Sequence, residues 1–374
     1  MKTIVYKTNE IEDELWIKAA GDILAAGGLV AIPTETVYGL AANSLDEAAA
    51  AKIYAAKGRP SDNPLIVHIA ELAQMKELAS EIPETALKLA EAFWPGPLTM
   101  ILPKKDRVPY GTTGGLETVA IRMPSHPVAR KLLQKSELML AAPSANTSGR
   151  PSPTRAEHVC EDLYGKIDMI LDDGPVGIGI ESTVVDLSGK IPMILRPGYI
   201  TREMMEAVVG EVLVDPAILE ENKDKNFRPK APGMKYKHYA PKGELLLVSG
   251  ESDKVVKKIK EMAVEKMSEG FRVGIIATDE TKGLYESWSQ NGIPGCFARP
   301  AGEANDVCVA AAVVMSIGTR KDEATISHNL YDILRRMDGE EVSYIYSESF
   351  GEGSRGQAIM NRLLKAAGHQ QIFV

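Results

Sequence analysis

Residues 57–69 read Lys57-Gly58-Arg59-Pro60-Ser61-Asp62-Asn63-Pro64-Leu65-Ile66-Val67-His68-Ile69. Gly58, Pro60 and Pro64 forbid a regular helix between the two cations and the apolar run. The run itself, 65–69, is short and has no polar-apolar alternation, as a strand buried on both faces requires. Such strands belong to α/β sheets with covered faces. The preceding loop then stands at a sheet end, where open α/β sheets receive ligands. Lys57 and Arg59 are predicted to lie on that stiff loop. In a chain of net charge -8, a rigid cationic loop marks a phosphate site.

The rest of the chain fits this frame. Strands are predicted over 3–7, 29–32, 98–102, 119–123, 138–142, 169–171, 183–187 and 193–195. Helices are predicted over 11–26, capped by Asn9 and stopped by Gly27-Gly28, and over 45–56, capped by Ser44. Others fall over 84–93, 127–135 and 201–209. Short strands mixed with helices imply a large twisted sheet of mixed direction. From Asp215 the composition turns charged and aperiodic, so 215–241 reads as a linker between a domain at 1–214 and one at 242–374. The second domain is also α/β. Its strands are predicted over 244–248, 273–277 and 343–346, and its helices over 253–267, 304–316, 329–337 and 357–367. No run is long or apolar enough to span a membrane, and the N-terminus lacks a signal peptide's apolar core. Cys160, Cys296 and Cys308 have no metal-ligand spacing. A reducing cytoplasm is the expected compartment. The acidic balance argues against generic nucleic-acid binding.

Polar segments recur where strands end. Pro33 to Leu40 carries Thr34, Glu35, Thr36 and Tyr38: a capped turn or a polar pocket floor. Ala142 to Gly149 carries Ser144 and Asn146, which donate to an anionic oxygen or form a plain turn. Glu181 to Asp186 opens a strand with a carboxylate and two hydroxyls, facing a pocket or following a glycine-rich loop. Arg122 and Arg196 directly follow apolar runs, where an unpaired cation is costly. Several cations meeting in one cleft suit a triphosphate and a carboxylate. Gly351-Glu352-Gly353-Ser354-Arg355-Gly356 has the form of a dinucleotide fingerprint. Only eighteen residues follow it, too few for the rest of a βαβ unit and its acidic ribose ligand, so a tight turn is expected. His328 and His369 read as structural. No Walker sequence and no assignable Ser-His-Asp set occur.

In this order, Pro33 to Leu40, Lys57 to Leu65, Ser144 to Asn146, Glu181 to Asp186 and Leu195 to Gly198 resemble the threonylcarbamoyl-AMP synthases, the YrdC-like family. Its Lys-x-Arg and Ser-x-Asn signature falls on Lys57, Arg59, Ser144 and Asn146. Residues 232–241, Pro-Gly-Met-Lys-Tyr-Lys-His-Tyr-Ala-Pro, with the second α/β unit, resemble the long two-domain form. The resemblance implies a twisted mixed α/β sheet around a basic cavity, plus a smaller Rossmann-like C-terminal domain. It implies that L-threonine, bicarbonate and ATP give threonylcarbamoyl-AMP and pyrophosphate. A partner transferase then modifies an adenosine of certain tRNAs. It places L-threonine on Thr36, His68, Arg122, Ser182 and the backbone near Ala142. It places ATP on Lys57, Arg59, Asn63, Thr118, Ser144, Asn146, Ser152, Arg196 and Tyr236, with Lys57 and Arg59 serving catalysis. Mg²⁺ is expected to ride mainly on the phosphates. Water must be kept from the carbamate, so 232–241 is expected to close as a lid with Tyr236 on the nucleotide.

Two rivals are weighed against this. A carbamoyl-AMP-forming hydrogenase-maturation protein shares a related domain but adds Cys-rich zinc fingers, which three scattered cysteines do not provide. An RNA-binding module would use a basic concave surface. It predicts salt-sensitive RNA binding without threonine-dependent chemistry, and weak RNA contact is kept as a partner expectation.

Overall fold

Apolar runs rich in Val, Ile and Leu form the strands of this computed structural model, which describes residues 2–8, 15–218, 229–231, 239–290, 311–351 and 353–374. Two compact units divide the chain, Met1–Tyr236 and Lys237–Val374. The first unit's strands are β1 (Ile4–Lys7), β2 (Val30–Ile32), β3 (Gly39–Asn43), β4 (Ile66–His68), β5 (Leu98–Pro103), β6 (Thr118–Arg122), β7 (Leu140–Ala141), β8 (Met169–Asp172), β9 (Thr183–Asp186), β10 (Met193–Arg196) and β11 (Leu213–Val214). They form one mixed sheet in the order β1-β8-β2-β3-β7-β4-β6-β5-β9-β10-β11. Its helices are α1 (Leu15–Ala25), α2 (Glu47–Lys57), α3 (Met75–Leu78), α4 (Glu84–Phe93), α5 (Tyr110–Thr113), α6 (Pro127–Ser136), α7 (Ala156–Leu163) and α8 (Arg202–Val209).

One core cluster joins α4 and α8 to the β4, β6, β5 and β9 face that carries Val67, Ile121, Met100 and Val185. The opposite face carries Ile66, Ala120, Ile101, Val184 and Leu195, and Ala231 packs among them. That second face holds the polar side chains described below.

Two local expectations are corrected here. Ser44 does not cap α2. Its hydroxyl is spent on the Met139 carbonyl at 2.7 Å, and Asp46 accepts from Ala48 N at 2.9 Å and Ala49 N at 3.3 Å. Lys57 is not on the loop but is the last residue of α2. Gly58 ends that helix in the left-handed region, φ 60°, where glycine carries no Cβ penalty. Strand β3 and helix α7 were not anticipated: β3 is Gly-Leu-Ala-Ala-Asn, without β-branched residues, and exists through pairing with β2 and β7.

The second unit has a parallel sheet ordered β14-β13-β15-β12-β16. Its strands are β12 (Glu244–Ser249), β13 (Val273–Ala277), β14 (Val313–Ser316), β15 (Tyr344–Glu348) and β16 (Gln371–Phe373). Its helices are α9 (Ser252–Ser268), α10 (Lys282–Gln290), α11 (Glu323–Gly339) and α12 (Ser354–Ala366). The helix expected over 304–316 is corrected at its described end. Val313–Ser316 is a strand, because parallel pairing with β13 suits its two valines.

The eighteen residues after Gly356 do complete a βαβ unit, since β16 runs parallel to β12. The turn into α12 is nonetheless no open phosphate seat. Gly356 N donates to the Glu323 carboxylate at 3.1 Å, and a Cβ on Gly351 (φ 48°) would collide with that same carboxylate. Glu323 thus lies where a phosphate would.

Candidate active site

Sheet pairing sets five residues from distant parts of the chain on one rung. His68 pairs with Arg122, Arg122 with Thr99, Thr99 with Val184, and Val184 with Arg196. Residues on one rung point to one face, so an imidazole, two guanidiniums and a hydroxyl gather there. Four of the five are polar, and all of these are at least 95% buried.

Arg122 is the hub. Its guanidinium pairs with Glu35 at 2.7 Å and donates to Thr36 Oγ1 at 2.9 Å. Thr34 donates to the Val37 carbonyl at 2.6 Å, so in the 2.9 Å Thr34–Thr36 contact Thr36 is the donor. Burial alone would raise the Glu35 carboxyl's pKa. The charge and hydrogen bond of Arg122 outweigh it and hold Glu35 below the usual carboxylate range. Glu35 stands inside the Pro33–Leu40 segment without an assigned role; its partner could be found only once β6 was placed.

His68 is neutral. Burial, then the Arg122 charge, pushes its pKa down to about 3. Its Nδ1 lies 3.2 Å from the Ile66 carbonyl. A neutral imidazole offers one donor and one acceptor, and at this pKa it is too weak a base to accept a proton near neutrality.

The Lys-x-Arg and Ser-x-Asn segments meet. Lys57 Nζ, buried, donates to the Ser144 carbonyl, to the Asn146 carbonyl at 2.6 Å and to Asn146 Oδ1 at 3.5 Å. Ser144 Oγ donates to Asn146 Oδ1 at 2.6 Å. Asn146 Nδ2 donates to the Thr147 and Arg150 carbonyls at 2.8 and 3.0 Å. Asp162, buried on α7, braces this loop through Arg150 and through Thr147 N at 3.1 Å. Arg59 donates to the Asn63 and Pro64 carbonyls at 3.2 and 3.1 Å. Asn63 Oδ1 is buried without a hydrogen-bond partner among the described residues, which fits a donor on a ligand.

On the sheet's other flank, Arg196 donates to the Ser182 carbonyl at 3.1 Å and to Ser182 Oγ at 3.2 Å. Ser182 Oγ lies 2.7 Å from Thr99 Oγ1. Thr99 escaped the sequence reading, although a lone hydroxyl inside Leu98-Thr99-Met100-Ile101-Leu102 was a usable signal, because a buried hydroxyl must find a partner. Ser152 Oγ donates to Glu181 Oε1 at 2.6 Å. Ala142, beyond β7, is tied by its N–H to the Ile66 carbonyl at 2.9 Å. Thr118 shares the face of Arg122 but sits two rungs away and only half-buried. Tyr236, with the rest of 232–238, lies outside the described residues. Among the described residues no group of three acidic, His or Cys side chains is placed to hold a metal, and no helix is long and apolar enough to cross a membrane.

Buried guanidiniums and hydroxyls on one sheet face, with a Ser-x-Asn loop braced by Lys57 and Asp162, give this α/β fold groups suited to anionic small molecules. Comparison with known proteins narrows this. Residues 22–198 match the family model described as "Telomere recombination", and residues 200–368 match that of the threonylcarbamoyl-AMP synthase C-terminal domain. The chain is 47% identical over 372 residues to the threonylcarbamoyl-AMP synthase of Pyrococcus abyssi, covering all of both chains. It is 46% identical to that of Bacillus subtilis, covering 97% of each. The crystal structure of Pyrococcus abyssi Sua5 complexed with L-threonine superposes with a TM-score of 0.86 at 45% identity, covering all of both chains. The chain belongs to the threonylcarbamoyl-AMP synthases, enzymes of the nucleotidyltransferase kind.

Proposed function

We propose that this chain makes threonylcarbamoyl-AMP and pyrophosphate from L-threonine, bicarbonate and ATP, for N6-threonylcarbamoyladenosine formation in tRNA by a separate transferase. The observation that supports the reading is the rung His68–Arg122–Thr99–Val184–Arg196, which sets two buried guanidiniums on one face of the sheet, three strands apart. A relative of the same length has been crystallised with L-threonine. Arg122 takes the α-carboxylate, with Glu35 and Thr36 fixing its plane. His68, neutral, accepts from the substrate hydroxyl. Ser182 and the Ala142 backbone complete the pocket.

ATP is held by Arg59, Asn63, Ser144, Asn146, Ser152 and Arg196, with Thr118 and Tyr236 at the nucleoside end. Lys57 fixes the Ser144–Asn146 loop and brings its charge there. Mg²⁺ would be held by phosphate oxygens and water and would offset their charge. The carbamate oxygen attacks the α-phosphorus and pyrophosphate leaves. Both reactants are anionic, and Arg122, Arg196, Lys57 and Arg59 offset their repulsion in a cavity that excludes water. Positioning does much of the rest, and no side-chain nucleophile is required. Ala231, which joins the apolar cluster of Ile66, Ala120, Ile101, Val184 and Leu195, supports the reading of 232–241 as a lid, because it brings the linker onto the sheet face that also carries His68 and Arg122. The cytoplasm, where ATP and tRNA meet, is the expected compartment.

The test is pyrophosphate release from ATP and Mg²⁺ with threonine or bicarbonate omitted in turn. Each omission should reduce release to background, and release that ignores both overturns the reading. Lys57→Ala and Arg59→Ala should each slow turnover at least about tenfold, or about 1.4 kcal/mol of barrier. Wild-type rates in both would remove these residues from the site.

A further inference from the structure

Resting on the synthase reading, the ATP side of the site holds a buried charge from outside the Lys-x-Arg and Ser-x-Asn segments. Asp162 lies in the last turn of α7, and its side chain is fully buried. Both conditions are unfavourable. A buried carboxylate loses its hydration, and the carbonyl end of a helix repels an anion. Two groups that offset this cost lie just after Asn146. The Thr147 N–H donates to Asp162 Oδ2 at 3.1 Å, and the Arg150 guanidinium pairs with Oδ1.

The Thr147 N–H and the Asn146 carbonyl belong to one peptide group. Lys57 Nζ donates to that carbonyl at 2.6 Å, so a buried ammonium and a buried carboxylate hold the two ends of a single peptide plane. A rigid plane tied at both ends cannot turn over. The Asn146 side chain depends on it. Its Oδ1 accepts from Ser144 and Lys57, and its Nδ2 donates to the Thr147 and Arg150 carbonyls. Those four contacts use the two donors and two lone pairs that an amide has. A turn of the peptide would carry Asn146 with it, and the Ser144 hydroxyl too. Beneath the loop, Ala145 shares an apolar cluster with Val159 and Leu163 of α7. Helix α7 is thus a packed base for the loop, and Asp162 is its polar tie.

We propose that Asp162 is a positioning residue for ATP. It acts through the loop: it fixes the Asn146–Thr147 peptide, and so sets where Ser144 and Asn146 meet the nucleotide. Arg150 supports it by offsetting the buried charge. An aspartate that only stabilised the unit would, when removed, loosen threonine and ATP binding together. A positioning one moves ATP alone, because Thr36, His68 and Arg122 lie on other segments.

Asp162→Ala should weaken binding of a non-hydrolysable ATP analogue with Mg²⁺ at least about tenfold in calorimetry, while L-threonine titrated alone stays within about twofold. Asp162→Asn, which keeps an acceptor for the Thr147 N–H, should recover affinity to within about threefold of wild type. Unchanged analogue affinity in Asp162→Ala, an equal loss of threonine affinity, or no recovery in Asp162→Asn overturns the proposal. Arg150 is partly exposed, so Arg150→Ala tests the same tie even where Asp162→Ala does not fold. Its analogue affinity should fall about threefold, and wild-type affinity there also overturns the proposal. These titrations involve no turnover, so their failure leaves the synthase reading standing. Pyrophosphate release that ignores threonine and bicarbonate would sink that reading without changing the affinities expected for the analogue.

Discussion

His68 shows how a single residue's environment decides its chemistry. Free histidine titrates near 6.5, whereas this ring is pushed down to about 3 by burial and by Arg122. Between those values the unfolded chain binds one proton more than the folded one. Stability therefore falls as pH drops below about 6.5, by up to about 1.4 kcal/mol per pH unit for this group. Urea unfolding at pH 8, 7, 6 and 5 should show the gap between wild type and His68→Gln narrowing in that direction below pH 6.5. A gap independent of pH would remove His68 as the titrating group. Much of the candidate site was legible as sequence: Arg122, Arg196, Ser144 and Asn146 all stand where apolar runs end. Their partners were not. Nothing in the order of residues ties Glu35 to Arg122 or Thr99 to Ser182, because those contacts join segments far apart in sequence.

At the scale of elements, one rung beyond the polar row lies the row of Ile66, Ala120, Ile101 and Asp186. The linker uses both ends of its character there. Ala231 is fully buried on the apolar residues, and Lys230 pairs with Asp186 at 3.2 Å. The lysine side chain is 60% exposed, so the pair contributes little, and the apolar seat should dominate. Ala231→Asp, which puts a charge on that seat, should lower turnover at least about tenfold, whereas Lys230→Ala should stay within about twofold. Steady-state pyrophosphate release checks both, and wild-type turnover in Ala231→Asp would argue against a linker role. Helices with strong periodicity, such as Glu84–Phe93, were readable from spacing alone. Val313–Ser316 was not, since a short apolar run that follows three alanines is compatible with either period until a neighbouring strand pairs with it.

For the whole molecule, each unit is an α/β layer structure, but the two differ in what they offer a ligand. The first unit carries the polar rung. The second has a dinucleotide-like strand–turn–helix whose anion seat already holds Glu323, and no acidic residue follows Gly356 to take a ribose. Titration of the full chain with NAD should therefore give no saturable heat in calorimetry. Saturable binding would show that Glu323 yields its place.

The sequence alone determined two α/β units, the polar segments at strand ends and the Lys-x-Arg and Ser-x-Asn pair, because these depend on local spacing and on backbone restrictions at Gly and Pro. Only the tertiary structure decided which of those segments share a rung. Strand order in the sheet departs from chain order, and a slip of one residue turns a strand's side chains to the other face. The stiff loop after Lys57 suggested an anion site from its cations and prolines alone. The pairing of β4, β6, β5, β9 and β10 set His68, Arg122, Thr99 and Arg196 on one face of the sheet, which no local pattern announces.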